Sequence, residues 1–518
     1  MAKNLISRLS VLAVLIVFMA ACSKKSEYTN AIPADATAIA AIHLKTFADK
    51  AGLNDKENEA TKKKMMDALK SGTNAATFQQ LEKIMQDPSK SGIDVQSPIY
   101  AFSAVSFPYY TLAARVSSQE NLRASLDIMA KEQICQPIAE ADGYSFTTLN
   151  NSSLLAFNAT TALLVQTEGA TQMEEAKKVI TNLLKQTAEN SINKNKAFEK
   201  MQKQKGEITF LASIGDVPLE CSSFLTSILP SNIHPKDVML QGSLHFEKGK
   251  IALQFNYYSD NKEVDAMLKK NEKALMRLST NSLKYFPAST LAFLNIGANG
   301  SEFYNLLLSN QEFTNNFTIA RAEAVKDLFS AFNGDIAIGL LNVSMKENAT
   351  SFLAYADVTN GNALKTFYTN KKTLKLKKGY DILQLGANEY VYKTREMNLF
   401  FGVKDRLAYA TNDELLYKNV GKTIDKSIKD TRYASEMKDK NVFAAINVEA
   451  ILELPIIKML IGLGNEENQM YYSLASQIDY LEMGIKKDGE GEISLVLKKE
   501  DTNALKQIAD FAKQFAGL

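Results

Sequence analysis

Two stretches of this chain carry the same phrase, and that repetition constrains the fold more than any other feature. Ile32-Pro33-Ala34-Asp35 runs into an apolar segment from Ala38 to Leu44, and Phe286-Pro287-Ala288-Ser289 runs into Leu291 to Ile296. Pro33 and Pro287 stand 254 residues apart, and the same offset carries Ile39 onto Phe293 and Ile42 onto Ile296. A fixed-period echo marks a repeated unit when further matches follow in order. They do. Val116, Ser117 and Leu122 return 242 residues later as Val358, Thr359 and Leu364. Gly143-Tyr144 is answered by Gly379-Tyr380, Leu154 to Phe157 by Leu399 to Gly402, and Ala197 to Met201 by Tyr433 to Met437. Near the end of each copy, Gly242 to Phe255 matches Gly484 to Leu497 without a gap.

The local patterns inside each copy predict strands more often than helices. Thr111 to Val116 and Phe352 to Val358 read as strands, and Ser117 and Thr359 stand where a hydroxyl can cap the helix that follows. Lys248-Gly249-Lys250 and Glu490-Gly491-Glu492 read as hairpin turns, in which glycine suits a positive φ. Each copy then closes on an amphipathic helix: Val264, Met267, Leu268, Leu275 and Leu278 share one face, and Leu505, Ile508, Phe511, Ala512 and Phe515 share the other. The predicted fold class is therefore α+β, with two tandem copies of one module at 31–280 and 281–518. Dominant hairpins predict an antiparallel sheet in each, with helices on one face.

Ahead of the repeat stands a different kind of segment. Lys3 and Arg8 precede an uncharged apolar run from Leu9 to Phe18, and Met19-Ala20-Ala21-Cys22 follows. This pattern reads as a secretory signal peptide over 1–22, with 23–30 as a polar tether. The run is shorter than the roughly 20 residues that a resident membrane helix needs. The sequence resembles bacterial lipoproteins here, which implies that Cys22 is acylated and holds the body to a membrane. Lys3 and Arg8 are two of the 60 basic residues, so the body carries 58 against 58 acidic ones. A neutral body lacks the electrostatic footprint of a nucleic-acid binder. Cys135 and Cys221 remain after lipidation, either paired in an oxidising compartment or as two separately buried thiols.

The lipobox, the stretch Tyr28 to Leu53 and the whole-length layout resemble a domain-of-unknown-function family of outer-membrane lipoproteins from Bacteroidota. The resemblance implies a lipid-anchored outer-membrane protein and carries over no active site. Surface-exposed lipoproteins of those bacteria usually carry acidic residues after the lipidated cysteine. Lys24 and Lys25 stand there instead, which points to the periplasmic leaflet.

Motifs for chemistry are scarce. Gly462-Leu463-Gly464 precedes Glu466-Glu467, which would repel a phosphate, so it reads as a helix stop. His43, His234 and His245 are scattered and lack metal-ligand spacing, so no metal or cofactor is predicted. The chain has no tryptophan for stacking sugars, although its 20 tyrosines could substitute.

Two contrasts between the copies supply candidate contact residues. Lys371, Lys372, Lys375, Lys377 and Lys378 precede Gly379, where the first copy has no lysine; they form either a solvated face or a contact for an anionic surface. Phe107, Tyr109 and Tyr110 crowd a turn where the second copy has Lys346-Glu347-Asn348; they either touch a partner or fold back over the core. The expectation is a non-enzymatic, lipid-anchored binding or assembly component with an envelope protein or glycan partner. The alternatives are an envelope hydrolase acting on glycan or peptide, and a structural spacer.

Overall fold

The computed structural model describes residues 27–516, apart from 54, 150–151, 168, 217–232, 310–325, 345–348, 360, 375 and 463–465. The fold is α+β, with antiparallel strands throughout. The described residues fall into two compact units. The first takes residues up to 216, 240–248 and those from 501 on; the second takes 233–239 and 249–500. These units do not coincide at their ends with the sequence modules 31–280 and 281–518. The closing helix Lys262–Asn271 lies in the second unit, and the closing helix Ala504–Ala516 lies in the first.

In the first unit the strands are β1 (Ala36–Ile42), β2 (Ile99–Ala104), β3 (Thr111–Arg115), β4 (Ala139–Ala141), β5 (Tyr144–Leu149), β6 (Ser153–Phe157), β7 (Thr161–Gln166), β8 (Ile208–Ser213) and β9 (Met239–Glu247). Their spatial order is β4-β5-β6-β7-β3-β2-β1-β8. The Glu207 amide donates to Leu244 of β9 at 3.0 Å, and the Phe246 amide donates to the Glu207 carboxylate at 2.7 Å.

The second unit contains β10 (Lys250–Tyr258), β11 (Ala292–Asn299), β12 (Phe332–Ser344), β13 (Ala349–Val358), β14 (Asp381–Gly386), β15 (Glu389–Lys393), β16 (Asn398–Lys404), β17 (Leu407–Thr411), β18 (Val442–Asn447), β19 (Ile478–Ile485) and β20 (Gly491–Leu497). Their order is β14-β15-β16-β17-β13-β12-β11-β18-β19-β20-β10.

The two orders run in parallel down to the register. Phe210, Ala40, Ala101, Leu112 and Leu164 face one another across successive strands of the first unit. Ala444, Leu294, Ile338, Ala354 and Ala410 do the same in the second. Ala40 to Leu294 is an offset of 254 and Leu112 to Ala354 is 242, the two spacings present in the sequence.

The proline phrases explain how one face of each sheet is sealed. Pro33 bridges Ser191 and Pro287 bridges Ser427. Beside them, the Ile192 amide donates to Ile32 at 3.0 Å and the Ile428 amide donates to Phe286 at 2.9 Å. All four side chains are fully buried. In the second unit they join Phe293, Tyr355, Tyr409 and Phe443, which alternate on the inner face of the strands.

Three local expectations are corrected. Helices lie on both faces of the sheet. On β5, the Tyr144 hydroxyl donates to Lys177 of the helix Ala170–Leu184, whereas neighbouring Ser145 is bonded by Arg123 of the helix Gln119–Lys131. Successive strand residues point to opposite faces, so the two helices flank the sheet. Both faces are apolar, and cover on one alone would leave Leu155 and Phe157 to water.

Capping also differs from expectation. Ser118 rather than Ser117 caps the helix Gln119–Lys131, and Gly361 occupies the cap of Asn362–Thr369 without a side-chain bond. The Thr359 hydroxyl donates to Ala331 instead. The second hairpin turns on Gly489, at φ +79°, while Gly491 begins β20 with the Phe255 ring packed where a Cβ would stand. Gly249 has the expected positive φ, at +62°.

Candidate functional site

The apolar cavity of the second unit is built on an alanine floor. Ala354 and Ala356 of β13 and Ala408 and Ala410 of β17 point to the face opposite the aromatic core. Ile336 and Ile338 of β12 and Leu399 and Phe401 of β16 wall it on either side. Leu364 and Phe367, one turn apart on the helix Asn362–Thr369, lie over it with Ile382 of β14 and Tyr392 of β15. Large side chains around small ones leave a cavity of about 610 Å³, a volume that suits a small-molecule ligand.

Among the described lining residues, Lys377 and the tyrosines Tyr355, Tyr380, Tyr392 and Tyr409 carry the polar side-chain groups. Lys377 is exposed and supplies the charge in the lining, with Tyr380 beside it. The Tyr380 hydroxyl lies 2.9 and 2.7 Å from the two Glu396 oxygens. That hydrogen bond holds the Glu396 carboxyl below its usual range and raises Tyr380. Among the described residues the lining contains no Asp, Glu, His or Cys.

The same face of the first unit holds a smaller hollow of about 400 Å³. Leu112 and Leu164 line it at the register positions of Ala354 and Ala410, and Tyr110 stands at its border. The two hollows overlap only in part, since the smaller extends over β1 and β8 and the larger over β14, β15 and β16.

The candidate residues from the sequence separate sharply. Phe107 is 0% exposed and packs edge-on against Tyr109 at 5.0 Å, so the ring belongs to the core and not to a contact surface. Tyr109 is half-buried, with its hydroxyl donating to Glu175 at 3.2 Å, while Tyr110 is 79% exposed. Lys371 is also withdrawn from any anionic surface: its ammonium binds Asp381 at 2.7 Å and the Ile382 carbonyl at 2.6 Å. Lys372, Lys377 and Lys378 are exposed, and Lys375 lies outside the described residues. Cys22, Cys221, the turn Lys346-Glu347-Asn348 and Leu463-Gly464 also lie outside them. Cys135 is a buried free thiol, and burial pushes its pKa up.

The histidines have separate local roles. The His234 ring accepts from the Lys236 amide, and His245 pairs with the Ser243 hydroxyl at 2.8 Å. Burial holds His43 below its ordinary value. Among the described residues no three His, Cys, Asp or Glu side chains form a metal-binding group, and no helix is long and apolar enough to cross a membrane. Two carboxylates do converge, away from the cavity, on Lys250: Glu482 at 3.3 Å and Glu492 at 2.7 Å.

Sequence reasoning missed the alanine floor. The signal was present in the repeat, where the 242 offset sets Ala354 against Leu112. Contrast between copies drew the eye to charge and aromaticity rather than to lost volume.

The family described as a domain of unknown function, DUF4836, matches residues 28–505, and the chain belongs to it. No curated protein matches the chain. Among solved structures, the chain is similar to TP0453 in three crystal forms. Form IV is 11% identical over 44% of this chain and 79% of that one, with a TM-score of 0.25. Form I is 10% identical over 47% and 83%, and form III 10% over 48% and 84%, both at a TM-score of 0.25.

Proposed function

We propose that this member of the family is a lipid-anchored, non-enzymatic binding component of the bacterial envelope, built from two copies of one α+β module. Its ligand is apolar in the main and sits in the cavity of the second unit. One observation carries this reading: a cavity of about 610 Å³ is lined mainly by aliphatic and aromatic side chains, with Lys377 as the charged group among the described lining residues. The described lining offers Lys377 and tyrosines but no carboxylate pair of the kind a glycan hydrolase uses, so the binding reading is placed ahead of the hydrolase one.

The anchor rests on the pattern of Lys3, Arg8, the apolar run and Cys22, which supports acylation at Cys22 and a place on the outer membrane. Lys24 and Lys25 favour its periplasmic leaflet. The duplication is supported by the shared strand order and by cross-strand rows that keep the 254 and 242 offsets. Tyr110, Lys372 and Lys378, all exposed, remain the contact candidates for an envelope partner or an anionic surface.

Extraction of the protein purified from its own membranes tests the reading. A small apolar molecule should be released in a fixed ratio to protein. An extract without one, together with a protein whose melting temperature no apolar compound raises, would overturn it.

A further inference from the structure

We propose that the cavity of the second unit takes one single-chain anionic amphiphile, with the chain along the alanine floor and the acidic head at Lys377. The inference rests on the binding role proposed above and names the ligand class for that site.

Three observations lead there. Among the described residues the floor and walls are mainly aliphatic and aromatic side chains, so a polar molecule buried there would lose its water with little replacement. An alkyl chain loses nothing on the same transfer and gains with each methylene. Second, the space lies within the range of sites for a single small ligand.

Third, charge gathers at one end only. Lys377 and Lys378 are exposed there, and the Arg395 guanidinium lies beside Gly379. Glu396, which accepts from the Tyr380 hydroxyl, sets one negative charge against these three cations. A carboxylate or phosphate head therefore meets a positive border while its chain stays in the cavity. The first unit supplies the substitutions for a test, because Leu112 and Leu164 occupy the register positions of Ala354 and Ala410.

The test fills the cavity with the side chains that the first unit already carries. The full chain with Cys22→Ala, which removes the acyl chains, is titrated with cis-parinaric acid, a fluorescent single-chain carboxylate, and with its neutral methyl ester. The expected result is one bound acid per chain. Ala354→Leu/Ala410→Leu should weaken it by about tenfold or more without lowering the melting temperature. Lys377→Gln should weaken the acid and leave the ester unaffected. If the double variant unfolds, Ala354→Leu and Ala410→Leu are titrated singly and either should show the loss. Displacement by oleate or by a lysophospholipid separates a free acid from a lipid headgroup.

Unchanged affinity in every filled variant would place the chain elsewhere and overturn the inference. Equal binding of acid and ester, with no effect of Lys377→Gln, would overturn the anionic head while leaving the binding role standing. Failure of both probes to bind would overturn the ligand class; the membrane extract described above would then decide the binding role separately.

Discussion

Removing the Lys250 charge should destabilise the second unit by about 3 kcal/mol near neutral pH, and the loss should shrink in acid. Lys250 is held between Glu482 at 3.3 Å and Glu492 at 2.7 Å. Glu482 is 3% exposed, and its second oxygen has no hydrogen-bond partner. Lys250→Met keeps most of the side-chain stem and takes away the charge. Glu482 is then left buried without its partner, a change that costs about 3–5 kcal/mol when the pair is fully enclosed. The lower end applies because Glu492 keeps a side-chain exposure of 25%. A second route gives a similar size. Burial alone would raise Glu492, but hydrogen bonds from Lys250 and Gln254 and the Lys250 charge bring it from 4.5 down to about 2. A shift of that extent corresponds to about 3 kcal/mol, with Lys250 supplying much of it.

The pH dependence has a definite sign. Glu492 is depressed in the folded state, so its contribution is present above pH 4.5 and fades as pH falls towards about 2. Glu482 is raised, chiefly by burial, so it contributes stability below pH 4.5 that is lost as pH rises through its folded value. Both trends make the variant's deficit largest near neutrality. Urea unfolding followed by circular dichroism at pH 7 and at about pH 3 measures it. Equal stability of variant and wild type at pH 7, or the same deficit at both pH values, would refute the argument. Lys250→Met/Glu482→Gln should recover part of the loss, because the buried charge is then gone.

Phe107→Ala should cost about 3–5 kcal/mol in a thermal melt, as deletion of a buried ring does, whereas Tyr110→Ala should leave the melt unchanged. Gly297→Ala should destabilise by about 1–3 kcal/mol, because a Cβ there overlaps the Met276 carbonyl of the chain running alongside. Cys22→Ala should free the folded body from membranes in a fractionation after a high-salt wash; full sedimentation with the membrane would refute the anchor.

How much was legible depended on how each feature is written in the chain. The sequence ordered no strands, but the 254 and 242 offsets read from Pro33, Pro287, Val116 and Val358 recur in the cross-strand register. The capping shift to Ser118 and the turn at Gly489 were hidden, since a one- or two-residue slide leaves the local composition unchanged. Phe107 misled for a different reason. A cluster of aromatics at a turn reads alike whether it faces outwards or folds inwards, and backbone bonds between Phe107 and Ala104 turn the ring into the core. The Met276 carbonyl leaves no room for a Cβ at Gly297, a requirement that the sequence could only record as a glycine.

The alanine floor escaped notice because alanine reads as neutral, yet its cost in a sheet argues that the space is kept for a purpose. Alanine is depleted in strands, where larger side chains pack better against their cross-strand neighbours. Filling an apolar position with leucine rather than alanine gains on the order of 1.5–3 kcal/mol through burial. The first unit has leucine at 112 and 164 on the same strand order and register, so the fold admits the larger side chain. In the second unit Ala354 and Ala410 sit at those positions, with Ala356 and Ala408 beside them. Ala356 and Ala408 pair as Ala114 and Ala162 do in the first unit, so the contrast lies at Ala354 and Ala410, which forgo a few kcal/mol of burial where the first unit carries leucine. A bound chain restores that burial from outside the sequence, so occupancy should raise the melting temperature of the second unit and leave that of the first unchanged.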